Sequence, residues 1–177
     1  MGATTIAVVS DTHCLAWTEV HPEIRTALSE ADIAVHCGDI TKMSVVEGLR
    51  GVAKRAIVVH GNSDPVDVRR ALPAVEVLEF DGLRIGVTHP AWGGPPFVLD
   101  ELLADFPEPV DAILFGHLHE VHNELRDGVL FVSPGQGYRS FMVEATMAVV
   151  TVDGGSISVE IRVVEAAEER QKLRKEV

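Results

Sequence analysis

Cysteine is scarce in this chain, with only Cys14 and Cys37 among 177 residues. Two thiols cannot supply the disulfide framework of a small secreted domain, so the fold must rest on a hydrophobic core. Basic residues are few as well: 15 Lys and Arg against 27 Asp and Glu, a formal net charge of −12 and a pI near 5.0. That balance argues against a sequence-independent hold on duplex DNA or RNA, which depends on neutralising phosphates with Lys and Arg. A small phosphate ester stays open as a partner, because bound cations can invert the local charge of a site. No apolar run approaches the roughly 20 residues that cross a bilayer, so no membrane span is expected. The first run, Ile6 to Val9, has no basic segment before it and does not read as a signal peptide. Met1-Gly2 opens like a myristoylation signal, but position 6 is Ile where that signal needs Ser or Thr. A cytoplasmic protein with reduced thiols is the default expectation. Linkers, low-complexity tracts and internal repeats are also missing, which points to one domain over residues 1–177.

What the chain does have is 46% hydrophobic residues and a mean hydropathy of +0.18, ordinary for a globular protein. Five short apolar runs end directly in metal-ligand residues. TIAVV leads into Ser10-Asp11-Thr12-His13, DIAVH into Cys37-Gly38-Asp39, and AIVVH into Gly61-Asn62-Ser63-Asp64. RIGVT stops at His89, and AILF opens onto Gly116-His117-Leu118-His119. Such runs read as buried strands, and in α/β sheets ligands bind beyond the carboxyl ends of strands. If the five are neighbours, two aspartates, one asparagine and four histidines converge on one rim. That set suits two divalent cations with mixed oxygen and nitrogen ligands.

Periodicity and turn signals predict strands over 4–9, 32–36, 55–59, 75–80, 82–88, 111–115, 121–126, 129–132, 143–152 and 156–164. Helices are predicted near 20–30, 43–50, 66–71 and 96–106. A polar helix is expected over the tail, where Glu168 stands four residues before Lys172. Asp81-Gly82, Asp127-Gly128 and Asp153-Gly154-Gly155 supply turns. The first half alternates strand and helix, while the second half reads as largely antiparallel. The expected fold class is therefore α/β, an α+β sandwich of two packed mixed β-sheets flanked by helices, not a doubly wound sheet. Antiparallel strands and the polar tail could also support a homo-oligomer.

Asp11 and His13 alternate by two, as do His117 and His119, so each pair can face one way past a strand end. Gly38 and Gly61 precede candidate ligands and let the backbone turn sharply there. One cation is assigned Asp11, His13, Asp39 and His119. The second is assigned Asp39, Asn62, His89 and His117, with Asp39 bridging. Two cations about 3.5–4 Å apart can hold a hydroxide and clamp the oxygens of an in-line phosphoryl displacement. Asn62 adds an amide oxygen without charge, and Asp64 can orient a neighbouring group. Asp39, Asn62 and Asp64 are thus the catalytic candidates. A lone histidine at a strand end is more often structural than a ligand, but five such segments in one context are hard to obtain by accident. His21, His36, His60 and His122 are expected at the surface or behind the ligands.

At these residues the chain resembles the calcineurin-like metallophosphoesterase superfamily, whose signature runs D-x-H, G-D, G-N-x-[DE], H and G-H-x-H. All five blocks occur in order: Asp11/His13, Gly38/Asp39, Gly61/Asn62/Asp64, His89 and Gly116/His117/His119. The short length and the G-N-x-D form resemble the small single-domain phosphodiesterase branch of bacteria and archaea. The resemblance implies a two-sheet sandwich and a dinuclear site with the ligands assigned above. It also implies hydrolysis of a small phosphate ester, foremost a phosphodiester, by metal-bound hydroxide. Manganese is the family's common assay metal, and iron, zinc, cobalt or nickel would also suit these ligands. A phosphomonoesterase, or a non-catalytic protein-binding scaffold resembling a retromer subunit, is the alternative.

The chain departs from this pattern at several points. Ser63 stands where many members carry a His that protonates the leaving group, which suggests a preference for esters whose leaving group needs little protonation. Cys14 replaces a usual Gly, as inert packing or as a redox liability. The loop Pro90-Ala91-Trp92-Gly93-Gly94-Pro95-Pro96 should shape the pocket mouth, with Trp92 either stacking on substrate or covering the core edge. After the turn Ser133-Pro134-Gly135-Gln136 come Tyr138 and Arg139, which could contact substrate phosphate or be structural.

Overall fold

The computed structural model describes residues 2–167. In chain order the elements are β1 (Thr4–Val9), α1 (Pro22–Glu30), β2 (Ile33–His36), α2 (Met43–Val52), β3 (Ala56–Val58) and α3 (Val66–Ala71). They continue with β4 (Val75–Phe80), β5 (Leu83–Thr88), β6 (Ala112–Phe115), β7 (Val121–Arg126), β8 (Val129–Pro134), β9 (Ala145–Asp153) and β10 (Ser156–Glu165). They form two five-stranded sheets, ordered β10-β9-β1-β2-β3 and β4-β5-β6-β8-β7. Each sheet has a parallel centre, β1-β2-β3 in the first and β5-β6-β8 in the second, with antiparallel strands completing it. The expected sandwich of two mixed sheets with flanking helices is the fold observed.

The apolar runs are continuous because both faces of the central strands are buried. On β1, Ile6 and Val8 enter the layer between the sheets, whereas Ala7 and Val9 pack outward with Ile24, Leu28, Val45, Val46 and Leu49 of α1 and α2. β6 repeats the pattern: Ala112 and Leu114 face the first sheet, and Ile113 and Phe115 face Leu99, Leu102 and Phe106. Period-two alternation therefore sorts one run into two cores. α1 starts where His21 Nδ1 accepts the Glu23 N–H and Pro22 occupies the first turn. The Asp-Gly turns are formed as expected, with positive φ at Asp81 (55°) and Gly82 (78°), and at Asp127 (48°) and Gly128 (87°).

Two expectations need correction. The helix over 96–106 is a 3-10 turn over Leu99–Asp105. Phe106 precedes Pro107, which disfavours the α region, and it sits extended at φ −116° and ψ 115°. Three residues per turn place Leu99 and Leu102 above one another against the sheet. The second half is also less antiparallel than expected, because β8 joins β6 in parallel. That pairing carries the segment after β8 to the same rim as the ends of β5 and β6. The predicted tail helix with Glu168 and Lys172 lies outside the described residues. Among those residues no helix is long and apolar enough to cross a membrane.

Candidate metal centre

The loops leaving β1, β2, β3, β5 and β6 bring all seven ligand candidates to one rim. Asp11, His13, Asp39, His117 and His119 adopt left-handed backbone conformations, at φ 50°, 48°, 55°, 86° and 57°. Asp and His tolerate this region better than most residues, yet each such position stores roughly 1–3 kcal/mol that the surroundings must offset. Cross-loop hydrogen bonds do so. The Asp11 N–H donates to the Gly38 carbonyl at 3.0 Å and the His13 N–H to the Asp39 carbonyl at 3.2 Å. The His117 N–H donates to Asp11 Oδ2 at 3.0 Å. Asp64 accepts four backbone N–H groups, from Asp39 (3.1 Å), Ile40 (2.8 Å), Thr41 (2.6 Å) and Gly61 (2.7 Å). Both its oxygens are thus used to tie the β2 and β3 loops together, which makes Asp64 a positioning residue.

The motif glycines act through close approach between loops. A Cβ on Gly61 would lie 2.6 Å from the Asp39 nitrogen and 2.8 Å from His89 Cδ2, and one on Gly38 would meet the His89 ring at 2.6–2.8 Å. Gly61→Ala is therefore expected to push Asp39 and His89 apart and weaken metal binding by about 10- to 100-fold. Isothermal titration with Mn²⁺ checks this, and an unchanged affinity would show that the loops can give way.

Three histidines are locked through the ring nitrogen that faces away from the centre. His89 Nδ1 donates to the Cys37 carbonyl at 2.7 Å, His117 Nε2 to the Trp92 carbonyl at 3.1 Å, and His119 Nδ1 to Gln136 Oε1 at 2.9 Å. The amide of Gln136 is itself oriented, since its Nε2 donates to the Tyr138 carbonyl at 2.7 Å. These partners assign the tautomers and leave the other nitrogen of each neutral ring as a lone pair. His89 Nε2 and His117 Nδ1 then face Asn62 Oδ1 at 3.1 and 2.8 Å, acceptor against acceptor. A cation between them would resolve that contact.

The carboxylates lie on the same side. Asp11 is fully buried and Asp39 is 2% exposed. Asp11 Oδ1 is buried without a hydrogen-bond partner, 3.2 Å from His119 Nε2 and 4.0 Å from His89 Nε2. Asp39 offers Oδ2 to His13 Nε2 at 3.7 Å and Oδ1 to His89 Nε2 at 3.5 Å, so each oxygen faces one ligand set. Burial alone would raise Asp11, but its contact with His119, and next the charge His89 carries when protonated, hold it below the usual carboxylate range. Proximity to Asp11 raises His119 in turn, while burial and His89 lower His117. Among the described residues, Asp11 and Asp39 find their ion-pair partners in histidines alone. Two buried carboxylates, an orphaned oxygen and converging lone pairs fit divalent cations. Asp11, His13 and His119 form one group with ligand atoms within 4.8 Å of one another, and Asp11, Asp39 and His89 form a second.

Sequence reasoning missed Gln136, because nothing local shows that β8 ends at this rim. It also placed His36 only loosely. His36 is buried, its Nδ1 accepts the Gly38 N–H at 3.2 Å, and its Nε2 donates to Thr12 Oγ1 at 3.0 Å. The ring thus clamps the two loops that carry Asp11, His13 and Asp39. Burial holds His36 down to about 4 from an ordinary 6.5. The unfolded chain binds this proton below pH 6.5 and the folded chain does not until about 4, so stability is complete above 6.5 and is lost as pH falls toward 4. The loss reaches at most about 3 kcal/mol. Urea unfolding of chelator-treated protein should show a drop across this window that is flattened in His36→Gln, and parallel curves would refute it.

The remaining candidates are placed as follows. Trp92 packs against Phe115 and lies beside His117, with ring centroids 6.4 Å away in each case. Arg139 pairs with Glu165 at 2.8 Å. Ser63 donates its N–H to Asp39 Oδ1 at 2.8 Å, and its hydroxyl receives the Asn62 amide at 3.4 Å. Burial pushes the Cys14 thiol up to about 11, with Glu19 adding to the shift, so it stays protonated at neutral pH as packing would require. His21 caps α1, and His122 packs on Phe115 at 5.8 Å.

The calcineurin-like phosphoesterase superfamily domain matches residues 5–155. The chain is 32% identical over 137 residues to a probable metallophosphoesterase of Methanocaldococcus jannaschii, covering 76% of this chain and 68% of that one. A phosphodiesterase of the same organism is 26% identical over 147 residues, covering 74% and 82%. A Thermotoga maritima protein solved by solution NMR superposes with a TM-score of 0.72 and 34% identity, over 91% of this chain and 99% of that one. Vacuolar protein sorting 29 of Cryptosporidium parvum, at TM-score 0.68 and 16% identity over 93% and 99%, shares the fold alone. With a match that spans the ligand loops from Asp11 to His119, the chain belongs to the calcineurin-like phosphoesterase superfamily.

Proposed function

We propose that this chain is a metal-dependent phosphodiesterase that works with two divalent cations. The observation that carries the reading is the set of locked histidines: His89, His117 and His119 each spend one nitrogen on a fixed acceptor and turn the other toward Asp11, Asp39 or Asn62. One set would be Asp11, His13, Asp39 and His119. The other would be Asp39, Asn62, His89 and His117, with Asp39 between them. When bound, the cation pair supplies an activated water and neutralises charge on the phosphoryl oxygens.

The chain's own residues do the rest. Asp11 and Asp39 hold negative charge in a buried setting, where it interacts strongly. Asn62 adds an oxygen without adding charge, which keeps the site attractive to an anionic ester. Gln136, the Cys37 carbonyl and the Trp92 carbonyl fix ring orientation, so little reorganisation accompanies reaction. Ser63 offers no strong acid at the position where a leaving group would depart, so activated aryl esters should outpace alkyl ones. Manganese as the working metal belongs to the same proposal, as does a cytoplasmic setting in which the free thiols of Cys14 and Cys37 stay reduced. The scaffold alternative has only a likeness of fold behind it.

The test is hydrolysis of bis(p-nitrophenyl) phosphate by metal-stripped protein with and without Mn²⁺, beside p-nitrophenyl phosphate. Metal-dependent turnover that favours the diester is expected. Folded protein that is inactive with every divalent metal would overturn the reading, and faster monoester turnover would make it a phosphomonoesterase.

A further inference from the structure

Beside His117 the centre is bounded by two aromatic side chains from the loop that follows His89. The Trp92 and Phe97 rings lie 5.5 Å apart and are tilted by 36°. Both stand close to edge-on against His117, at 6.4 and 6.3 Å. Trp92 is backed by Phe115 at 6.4 Å, and its carbonyl receives the His117 Nε2–H at 3.1 Å, so this wall and this ligand hold one another in place. Phe97 is different, being 40% exposed although it stands at the edge of a polar centre. An exposed aromatic face beside convergent polar groups is the make-up of a ligand-contact surface.

We propose that Trp92 and Phe97 form a binding wall for a planar aromatic substituent of the phosphoester, so that the enzyme prefers such esters to alkyl ones. An aryl group and a nucleobase share the required chemistry, a flat π-face that packs offset or edge-on against these rings. This inference rests on the phosphodiesterase reading of the same centre. Phe97 is the specificity-determining residue, because Trp92 also serves the core through Phe115 and His117 through its carbonyl.

The experiment compares two diesters with one leaving group, phenyl p-nitrophenyl phosphate and methyl p-nitrophenyl phosphate, so that leaving-group protonation is held constant. The wild-type kcat/KM ratio should favour the phenyl ester about tenfold. Phe97→Ala should lower that ratio about fivefold or more, and Phe97→Trp should keep it. A ratio unchanged in Phe97→Ala overturns the wall while leaving the phosphodiesterase reading intact. Inactivity of the wild type on both esters with every metal removes the phosphodiesterase reading instead, and binding then decides the wall. In ¹⁵N-labelled protein with Zn²⁺, phenylphosphonate should shift the Trp92 indole signal, assigned by its loss in Trp92→Phe, and bind about tenfold tighter than methylphosphonate. Equal affinities of the two phosphonates would overturn the wall.

Discussion

Replacing Asp39 by asparagine should lower phosphodiester hydrolysis about a thousandfold or more and remove one metal ion per chain, with the fold unchanged. The two Asp39 oxygens face different histidines, His13 at 3.7 Å and His89 at 3.5 Å, as the proposed bridging carboxylate would. Losing the charge weakens whichever cation is held less well, and the stabilisation that a second Lewis acid gives a phosphoryl transition state is several kcal/mol. About 4 kcal/mol corresponds to roughly a thousandfold in rate. The fold should survive because an asparagine Oδ1 can still accept the Ser63 N–H, now at 2.8 Å from the carboxylate. It also removes like-charge repulsion with buried Asp11. Metal analysis by mass spectrometry beside kcat/KM checks both halves. Near-normal turnover, or two metals retained, would remove the bridging role from Asp39.

Asp64→Ala should act in the opposite order, with stability falling first and metal binding falling as a consequence. One carboxylate accepts four backbone N–H groups from Asp39, Ile40, Thr41 and Gly61. Hydrogen bonds to a charged acceptor contribute about 1.5–3 kcal/mol each, and their loss leaves donors without partners in a largely buried loop. Water entry and relaxation recover part of this, so a loss of about 4–6 kcal/mol is expected, a large share of a typical domain stability of roughly 5–15 kcal/mol. Asp64→Asn retains one acceptor oxygen and turns an NH₂ toward the other two donors, so it should fall between wild type and Asp64→Ala. Urea unfolding of the metal-free proteins gives the measurement. A change under about 1 kcal/mol in Asp64→Ala would show that the four bonds are replaced at little cost.

These two carboxylates mark how far the sequence can be followed. Both belong to short motifs, yet only the backbone partners distinguish a group that faces the candidate metal centre from one that fastens the loops. Asp64 stands two residues from Asn62, at the same spacing as Asp11 from His13, so spacing alone does not separate ligand from fastening. Gln136 shows the same limit. It lies 17 residues from His119 along the chain, and it reaches the site only because β8 pairs in parallel with β6. The second half of the chain is rich in hairpin signals, which made an antiparallel arrangement the natural expectation. Asp-Gly turns report on neighbouring strands and carry no information about which third strand lies beside them.

What the sequence determined by itself is the set of candidate ligand residues and the strands that present them. Both are local: apolar runs register burial on each face, and the Asp, Asn and His residues follow directly at strand ends. The tertiary structure alone decided how those residues are held. The tautomers of His89, His117 and His119, the clamp at His36, the fastening by Asp64 and the packing of Trp92 and Phe97 against His117 arise from contacts between segments distant in sequence. Most of those partners are backbone carbonyls and N–H groups, which almost every residue carries alike, so their placement leaves no mark in the order of side chains.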